Sequence, residues 1–336
     1  MKRKTNQMGD GSFIDAIIIA IRDLKQPKVS EVNPVPGHVR IDGKTCLITG
    51  ANSGLGKATA TELARRGANM ILACRPGHTE TCDEIKTLSG SQNVEMMEVD
   101  LSDLRSVHRL CDNLSNRNIK IDIAVFNAGL ALQKATKTPQ GYETMFTVHF
   151  LSNRIMIDRW LKDGVICPSS QAGKTPRIIF VSSEAHRSSH TIDFDRFGEF
   201  TDYDPGDGFK YYGISKLVLC MFATELSRRL NTGGKTEVAV HSMCPGGVAT
   251  NISRETPSIL KPIVNPLLRY FFQSPEEAIG PVIYLCCAEE AGTNTGIYLH
   301  LMQRKSVSPT ALDEENGTKL WEASEPLVAN SREQAL

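Results

Sequence analysis

The sequence predicts an α/β fold in which a doubly wound, seven-stranded parallel sheet carries helices on both faces within a single domain. Two observations support this prediction. From residue 44 onward, short apolar runs alternate with longer stretches of helical period, and the first run leads directly into a glycine-rich turn. In such a sheet, ligands bind beyond the carboxyl ends of the strands. The expected strands, each a short apolar run, are Thr45–Thr49, Asn69–Ala73, Val94–Glu98, Ile121–Phe126, Arg177–Val181, Glu237–Ser242 and Ile297–Leu301.

The composition excludes several classes of protein. The 336 residues contain 38 Lys and Arg and 38 Asp and Glu, so no net charge attracts nucleic acid, and we expect no nucleic-acid partner. A hydrophobic content of 40% is sufficient to fill a large core. The nine cysteines form no Cys-x-x-Cys pair and have no histidines at zinc spacing. We therefore expect no metal site and interpret them as reduced packing residues of a cytoplasmic protein; the alternative is a catalytic or metal-bound thiol.

An N-terminal extension of residues 1–40 precedes the main domain, predicted to span residues 41–328, and residues 329–336 form a predicted tail. The apolar core of the extension, Ala16–Ile21, is far shorter than the ~20 residues that a membrane-spanning helix needs. Apolar residues around this core keep near-helical spacing, which predicts an amphipathic helix. This helix either docks on the protein's own surface or lies peripherally on an intracellular membrane.

The first strand runs into a turn with glycines at positions 50, 54 and 56, followed by a helical pattern. Glycines in such a turn allow backbone N–H groups at the start of the helix to approach a pyrophosphate. The strand-turn-helix context predicts a Rossmann-type dinucleotide site, although the spacing is G-x-x-x-G-x-G rather than G-x-G-x-x-G. The same turn contains Asn52, Ser53 and Leu55.

Further cofactor contacts are expected at the ends of the next three strands. Arg75 follows the second strand, where a guanidinium suits a 2'-phosphate, so NADP(H) is favoured over NAD. The alternative is that Arg75 is a solvated loop residue. Two more groups lie where loops meet a ligand, although each could serve turn chemistry alone: Asp100 and Leu101 after the third strand, and Asn127, Ala128 and Gly129 after the fourth.

Tyr212 and Lys216 are four residues apart in a predicted helix and therefore project from one face of it. An ammonium beside a phenol favours the ionised phenol, so we expect Lys216 to lower the pKa of Tyr212. A third polar group, Ser183, follows the strand that ends at Val181. Together these residues predict proton transfer to or from a substrate oxygen next to the nucleotide.

From Lys44 to Val328 the sequence resembles the short-chain dehydrogenase/reductase family, and more narrowly its retinol dehydrogenase branch. The resemblance rests on Thr49-Gly-Ala-Asn-Ser-Gly-Leu-Gly56, Ala73-Cys-Arg75, Asp100-Leu101, Asn127-Ala-Gly129, Val181-Ser-Ser183, Tyr212 to Lys216, Pro245-Gly-Gly-Val-Ala-Thr250, Ser274-Pro-Glu-Glu277 and Leu320-Trp321. It implies hydride exchange with nicotinamide, and pairing of two copies through the helices that flank the fifth strand.

The resemblance also implies roles for individual residues. Tyr212 is the general acid or base, Ser183 hydrogen-bonds the substrate oxygen, and Lys216 holds the nicotinamide ribose. The implied cofactor contacts are Gly50, Asn52, Ser53, Gly54, Leu55, Gly56, Arg75, Asp100, Leu101, Asn127, Ala128, Gly129, Tyr212, Lys216, Pro245, Gly246, Val248 and Thr250.

One position departs from the branch, which carries Asn-His-Leu-Gly-His-Phe where this sequence has His149-Phe-Leu-Ser-Asn-Arg154. His149 therefore stands where the family has its fourth catalytic residue, which acts partly through its backbone carbonyl and a water that reaches the lysine. Either His149 keeps a catalytic role, because imidazole titrates near neutrality, or it is a packed helix residue and proton relay is weaker. Asn153, one turn later, is a further candidate for compensation.

The stretch from Ile259 to Phe272 is strongly apolar and covers the substrate mouth in this fold, which predicts a lipophilic alcohol or carbonyl of the retinoid, steroid or fatty-aldehyde class. Core packing explains the same residues equally well. We therefore predict an NADP(H)-dependent oxidoreductase of lipid metabolism. The alternative is a catalytically weak member that binds nucleotide as a sensor or interaction scaffold.

Overall fold

The computed structural model describes residues 32–188, 191–247 and 273–335. Most of the predicted N-terminal extension lies outside the described residues. So do the apolar stretch from Ile259 to Phe272 and two expected cofactor contacts, Val248 and Thr250.

One twisted sheet of eight strands forms the centre of the described structure. Its strand order is β3-β2-β1-β4-β5-β6-β7-β8, and every neighbouring pair is parallel except β7 and β8. The chain order therefore reverses between β1 and β4, which creates a crevice at their carboxyl ends. The strands are β1 Thr45–Thr49, β2 Asn69–Cys74, β3 Val94–Glu98, β4 Ile123–Phe126, β5 Arg177–Val181, β6 Ala239–Cys244, β7 Tyr298–His300 and β8 Gln303–Lys305.

All seven predicted parallel strands are confirmed, and three of them keep their predicted bounds. The eighth strand is an addition to the prediction: Gln303–Lys305 folds back on β7 as an antiparallel edge. Its three residues are only partly buried and polar, so the sequence there has no apolar run from which a strand can be predicted.

Helices cover both faces of the sheet, as predicted. One face carries α1 (Gly54–Arg65) and α9 (Gly280–Cys287), whose apolar sides pack in one core cluster. The opposite face carries α3 (Leu104–Asn116), α5 (Ser152–Lys162) and α7 (Gly208–Leu230), whose apolar sides pack in a second cluster. The helices are α1 Gly54–Arg65, α2 Glu80–Ser89, α3 Leu104–Asn116, α4 Thr144–Phe146, α5 Ser152–Lys162, α6 Ser169–Ala172, α7 Gly208–Leu230, α8 Pro275–Ala278, α9 Gly280–Cys287, α10 Glu290–Thr293, α11 Pro309–Leu312 and α12 Glu314–Ser331.

Aromatic rings fill the core between the sheet and helices α5 and α7. Phe126 stacks on Trp160 at 5.6 Å and on Phe180 at 5.1 Å between ring centroids, and Phe222 meets Phe180 edge-on at 5.8 Å. All four side chains are fully buried. Because such rings bury a large apolar area in a fixed geometry, they fix the distance between β4, β5 and α7.

Helix α12 covers the face formed by α5 and α7. Its Trp321 lies between two guanidinium groups, with Arg154 of α5 4.0 Å and Arg229 of α7 4.4 Å from the ring centroid. The helix runs through the predicted boundary of the tail to Ser331, whose hydroxyl is 3.0 Å from His108 Nε2. The pairing of two copies through the helices that flank the fifth strand stays a prediction.

Phe180→Ala tests the importance of the aromatic core. We expect the free energy of unfolding to fall by about 3–5 kcal/mol, because the substitution leaves a cavity that neighbouring rings cannot fill. Chemical denaturation measures this loss. The control is Leu88→Ala, since Leu88 is 58% exposed, and we expect it to change stability by less than about 0.5 kcal/mol. A similar small change for Phe180→Ala would contradict the assigned core.

Candidate active site

The glycine-rich turn lies at the carboxyl end of β1, beside the crevice. Gly50 and Gly54 have φ angles of 68° and 54°, a conformation that side-chain-bearing residues avoid. Gly56 is needed for a different reason, because a Cβ there would lie 2.4 Å from both Asn127 Nδ2 and the carbonyl oxygen of Gly50. The three predicted glycines therefore permit one tight turn against the end of β4.

Asn127 fastens that turn to β4. Its Nδ2 donates to the carbonyl oxygens of Thr49 and Gly50 at 3.0 and 3.1 Å. In return, Thr49 Oγ1 accepts from the backbone N–H groups of Asn127 and Ala128. Asn127 thus shapes the groove through contacts with the protein. Gly129, two residues later, lies against His149 and Lys216, because a Cβ there would be 3.2 Å from His149 Nε2 and 3.5 Å from Lys216 Nζ.

The start of helix α1 fits the pyrophosphate of a dinucleotide. Ser53 occupies the N-cap, yet within the described part of the chain its side chain makes no capping hydrogen bond. The N–H groups of the first turn therefore remain available for an anion, and the helix dipole favours negative charge there. Leu55 packs into the core beneath the turn, so only its main chain can face a ligand.

The outer part of the groove carries the two charged residues that the sequence singles out. Arg75 is exposed directly after β2, and none of the described residues forms an ion pair with it. Asp100 is held in place after β3 because its Oδ1 accepts from the N–H and the hydroxyl of Ser102 at 2.9 and 2.6 Å. Leu101 is buried in the core, which leaves its main chain as the contact.

Ser183, Tyr212 and Lys216 come together at the carboxyl end of β5. Ser183 caps a short 3-10 helix, Glu184–Arg187, and its hydroxyl oxygen accepts from the N–H of Ala185 at 3.2 Å. Ser183 also lies close enough to Tyr212 to oppose a rise in the pKa of its phenol. Lys216 is buried, donates to the carbonyl oxygen of Val181 at 3.1 Å, and has its Nζ 5.7 Å from the centroid of the Tyr212 ring.

The expected lowering of the Tyr212 pKa by Lys216 is wrong for this structure. Although Tyr212 is half-buried as a residue, its hydroxyl is surrounded by protein, and burial raises the pKa of Tyr212 to about 12 against the smaller opposing effect of Ser183. Burial likewise lowers the pKa of Lys216 to about 8. Both side chains resist charge in this low-dielectric site, so the phenol is held as a proton donor.

His149 is completely buried next to these residues. Its Nε2 accepts from the N–H of Leu130 at 3.1 Å, and its Nδ1 lies 2.8 Å from Ser215 Oγ, which in turn donates to the carbonyl oxygen of Tyr212 at 2.7 Å. One neutral tautomer satisfies both ring nitrogens. Burial, followed by the charge of Lys216, lowers the pKa of His149 well below its usual value. The imidazole therefore links the loop after β4 to the turn of α7 that carries Tyr212.

The backbone around His149 is also unusual. Residues Thr147–Leu151 form a π-helical turn between α4 and α5, and Asn153 Nδ2 donates to the carbonyl oxygen of His149 at 2.8 Å. The Asn153 amide therefore occupies one lone pair of the carbonyl oxygen through which the resemblance implies a water-mediated link to the lysine. Asn153 Oδ1 is buried without a hydrogen-bond partner among the described residues.

The loop after β6 closes the far side of the site. Pro245 is buried, and Gly246 has a φ of 78° with the Leu301 side chain packed against it, where a Cβ would come within 2.5 Å of that side chain.

Sequence reasoning missed Leu130 and Ser215, because a backbone N–H and a serine inside a helix carry no recognisable pattern. The motif Tyr212-Gly-Ile-Ser-Lys216 contained the serine without indicating its partner.

Other parts of the described structure offer less to a ligand. A surface cavity of about 380 Å³ lies at the opposite edge of the sheet, where strands begin, and contains none of these residues. Among the described residues, no helix has the length and apolar content required to cross a membrane, and no cluster of three or more His, Cys, Asp or Glu side chains could hold a metal ion.

Comparisons with known proteins agree with the geometry. The family model described as short chain dehydrogenase matches residues 44–191. Retinol dehydrogenase 13 of Homo sapiens is 35% identical over 306 residues, which cover 87% of each chain. Retinol dehydrogenase 14 of Homo sapiens is 32% identical over 330 residues, covering 93% of this chain and 94% of that one. A crystal structure of an uncharacterized protein from Mycobacterium Paratuberculosis superposes with a TM-score of 0.64 at 26% identity, covering 88% of this chain and 98% of that one.

The neutral state of His149 predicts a pH-dependent stability. The unfolded chain binds a proton at this residue below about pH 6.5 and the folded chain does not, so stability falls as pH drops through that value. Urea denaturation measures the free energy of unfolding at pH 7 and at pH 5.5. The decrease between the two pH values should be smaller by about 1 kcal/mol in His149→Asn than in the unmodified chain.

Ser215→Ala is the control, because it breaks the same chain of hydrogen bonds but keeps the buried imidazole. It should lower stability at both pH values and preserve the difference between them. If His149→Asn preserves that difference too, His149 is protonated in the folded protein.

Proposed function

The chain belongs to the short-chain dehydrogenase family, and we propose that it is an NADP(H)-dependent oxidoreductase that interconverts a carbonyl and an alcohol on an apolar molecule. The observation that carries the proposal is the convergence of Ser183, Tyr212 and Lys216 beside the glycine turn of β1. This arrangement combines a proton donor, a hydrogen-bond donor for the substrate oxygen and a dinucleotide cradle.

In the direction of reduction, the carbonyl carbon gains a hydride and the carbonyl oxygen gains a proton, which yields the alcohol. When bound, the dihydronicotinamide supplies the hydride. Tyr212 supplies the proton from its hydroxyl, and Ser183 donates a hydrogen bond to the same substrate oxygen. Ser183 can do so because its Oγ already accepts from the N–H of Ala185 and keeps its own proton free to donate.

Two features equip the site to donate a proton in the direction of reduction. Burial raises the pKa of Tyr212 to about 12, so at neutral pH the hydroxyl carries the proton that a carbonyl oxygen has to gain. Lys216, with its pKa lowered to about 8, still carries its proton for the most part at pH 7. In the resting site burial outweighs any effect of this cation on Tyr212; we propose that the same charge, 5.7 Å from the ring centroid, stabilises the tyrosinate that forms as the proton leaves.

We assign the preference for NADP(H) over NAD to Arg75. Its guanidinium is exposed at the end of β2, where the adenine ribose lies in dinucleotide-binding folds, and no described residue neutralises it. A guanidinium binds a phosphate bidentately, so an exposed arginine at this place suits the 2'-phosphate of NADP(H).

The proposed substrate is a lipophilic carbonyl compound of the retinoid, steroid or fatty-aldehyde class. Its support is the apolar composition of the sequence from Ile259 to Phe272 and the names of the curated relatives. For the amphipathic sequence of the N-terminal extension we propose peripheral contact with an intracellular membrane, where such substrates partition.

The second candidate function is nucleotide binding without efficient turnover, as a sensor or scaffold. The observation that favours it is that both ring nitrogens of His149 already have partners, the N–H of Leu130 and the hydroxyl of Ser215. In addition, Asn153 donates a hydrogen bond to the His149 carbonyl oxygen. These three hydrogen bonds restrict a proton route from Lys216 to solvent. This function predicts saturable NADPH binding without oxidation of NADPH by any carbonyl compound, unchanged in His149→Asn.

Tyr212→Phe tests the assigned chemistry. Loss of the proton donor should lower kcat by about 10²–10⁴-fold with NADPH and a panel of retinal, steroid ketones and medium-chain aldehydes. The dissociation constant for NADPH should stay nearly constant, because the ring remains.

Tyr211→Phe is the matched control, since Tyr211 precedes Tyr212 and stacks on Tyr203 at 4.2 Å between centroids. It should leave kcat unchanged. Equal rates for Tyr212→Phe and Tyr211→Phe would refute the role of Tyr212 as the acid.

Arg75→Asp tests the choice of cofactor. Replacing a cation by an anion should lower the ratio of kcat/KM for NADPH to that for NADH by about tenfold or more, because a charged hydrogen bond contributes about 1.5–3 kcal/mol. Arg75→Lys keeps the charge but loses the bidentate geometry, so its ratio should be intermediate. A ratio that stays constant through both variants would show that Arg75 does not contact the cofactor.

A further inference from the structure

A buried histidine fastens the turn after Ser183 to the C-terminal part of the chain. His186, in the 3-10 helix Glu184–Arg187, is 1% exposed. Its Nδ1 lies 2.7 Å from the carbonyl oxygen of Ser183, and its Nε2 accepts from the N–H of Ser308 at 3.1 Å. A single side chain therefore joins the end of β5 to the residue that precedes helix α11.

The two contacts require one tautomer. The N–H of Ser308 can only donate, so Nε2 must accept and the ring proton must be on Nδ1, where it donates to the Ser183 carbonyl. The ring also packs against Tyr298 at 5.3 Å between centroids. Burial lowers the pKa of His186 to about 4, so the neutral form with both bonds persists across the physiological range.

These bonds determine the position of Ser183. Its carbonyl oxygen receives the Nδ1–H of His186 and, at 3.1 Å, the backbone N–H of the same residue. Its hydroxyl oxygen receives the N–H of Ala185, which belongs to the same turn. A shift of the turn therefore moves the serine hydroxyl relative to the phenol of Tyr212.

The residues on either side of His186 reinforce the same attachment. The Glu184 carboxylate, with 12% of its side chain exposed, accepts from the Tyr298 hydroxyl at 2.6 Å and from Arg187 Nε at 3.0 Å. Arg187 also donates to the carbonyl oxygen of Ser306. The turn is thus attached to β7 and to the segment before α11 at several points. Among the described residues that make these attachments, only His186 also bonds to Ser183.

We propose that His186 is a positioning residue for Ser183, which holds the serine hydroxyl at the distance from Tyr212 that carbonyl reduction needs. This inference rests on the proposed function. It assigns a role to a residue that makes no contact with substrate or cofactor and acts through the carbonyl of its neighbour.

Substitutions of His186 separate its two bonds. His186→Phe should lower kcat by about tenfold or more, since a misplacement of 1 Å can slow a reaction about 10²-fold, while KM for NADPH changes less than twofold. His186→Asn places an amide donor where Nδ1 was and should restore most of kcat. His186→Gln reaches only toward Ser308 and should not.

A double variant tests whether His186 acts through Ser183. If it does, Ser183→Ala with His186→Phe should be no slower than Ser183→Ala alone, because the hydroxyl that His186 positions is already absent. If His186→Phe slows both backgrounds by the same factor, the proposal is wrong.

His241 provides a matched control. It is also 1% exposed, its Nε2 lies 2.8 Å from the Ala291 carbonyl oxygen and its Nδ1 accepts from the N–H of Ile297 at 3.3 Å, away from the catalytic residues. His241→Phe should lower thermal stability as much as His186→Phe but leave kcat unchanged. Equal kcat losses in the two variants would reduce His186 to a general packing residue.

Crystal structures of His186→Phe and His241→Phe give a readout that needs no turnover. The Ser183 hydroxyl should be displaced from Tyr212 only in the first, and an unmoved Ser183 would overturn the inference. If the unmodified chain binds NADPH and reduces no carbonyl compound, the proposed function fails, whereas the structural comparison still decides the role of His186.

Discussion

The hydrogen bonds between Thr49 and Asn127 are the interaction on which the site depends. They join the carboxyl ends of β1 and β4, the two strands between which the chain order reverses. A parallel sheet opens a crevice at that point, and its width is set by whatever links the two strand ends. Because Asn127 also bonds to Gly50, the glycine turn and the start of α1 take their position from the same side chain. Strand β5, which leads to Ser183, pairs with β4 beside this edge.

Burial determines the protonation states around the edge. Tyr212 stays protonated, Lys216 loses part of its affinity for protons, and His149 and His186 remain neutral. The two histidines each use one nitrogen as a donor and the other as an acceptor, so neither buries a charge, and the buried Lys216 ammonium donates to the Val181 carbonyl oxygen. These neutral imidazoles fix the surroundings of Tyr212, whose hydroxyl keeps its proton.

The C-terminal third of the chain contributes structure to a site whose sequence signals come mostly from the first two thirds. Ser308 and β7 hold the turn after Ser183, and helix α12 lies across α5 and α7 with Trp321 between Arg154 and Arg229. Cation–π contacts and the aromatic core beneath hold α12 against this face. The helix that carries Tyr212 is therefore supported along its length by segments far away in the sequence.

The sequence by itself determined the sheet, the glycine turn and the identity of Ser183, Tyr212 and Lys216, because these depend on local pattern: apolar periodicity, φ angles that only glycine adopts readily, and spacing along one helix. Tertiary structure alone decided the short antiparallel strand Gln303–Lys305, the bonds of His149 to Leu130 and Ser215, and the raised pKa of Tyr212. These features depend on burial and on partners distant in the chain, often backbone N–H groups, which every residue type except proline provides and no sequence pattern can indicate.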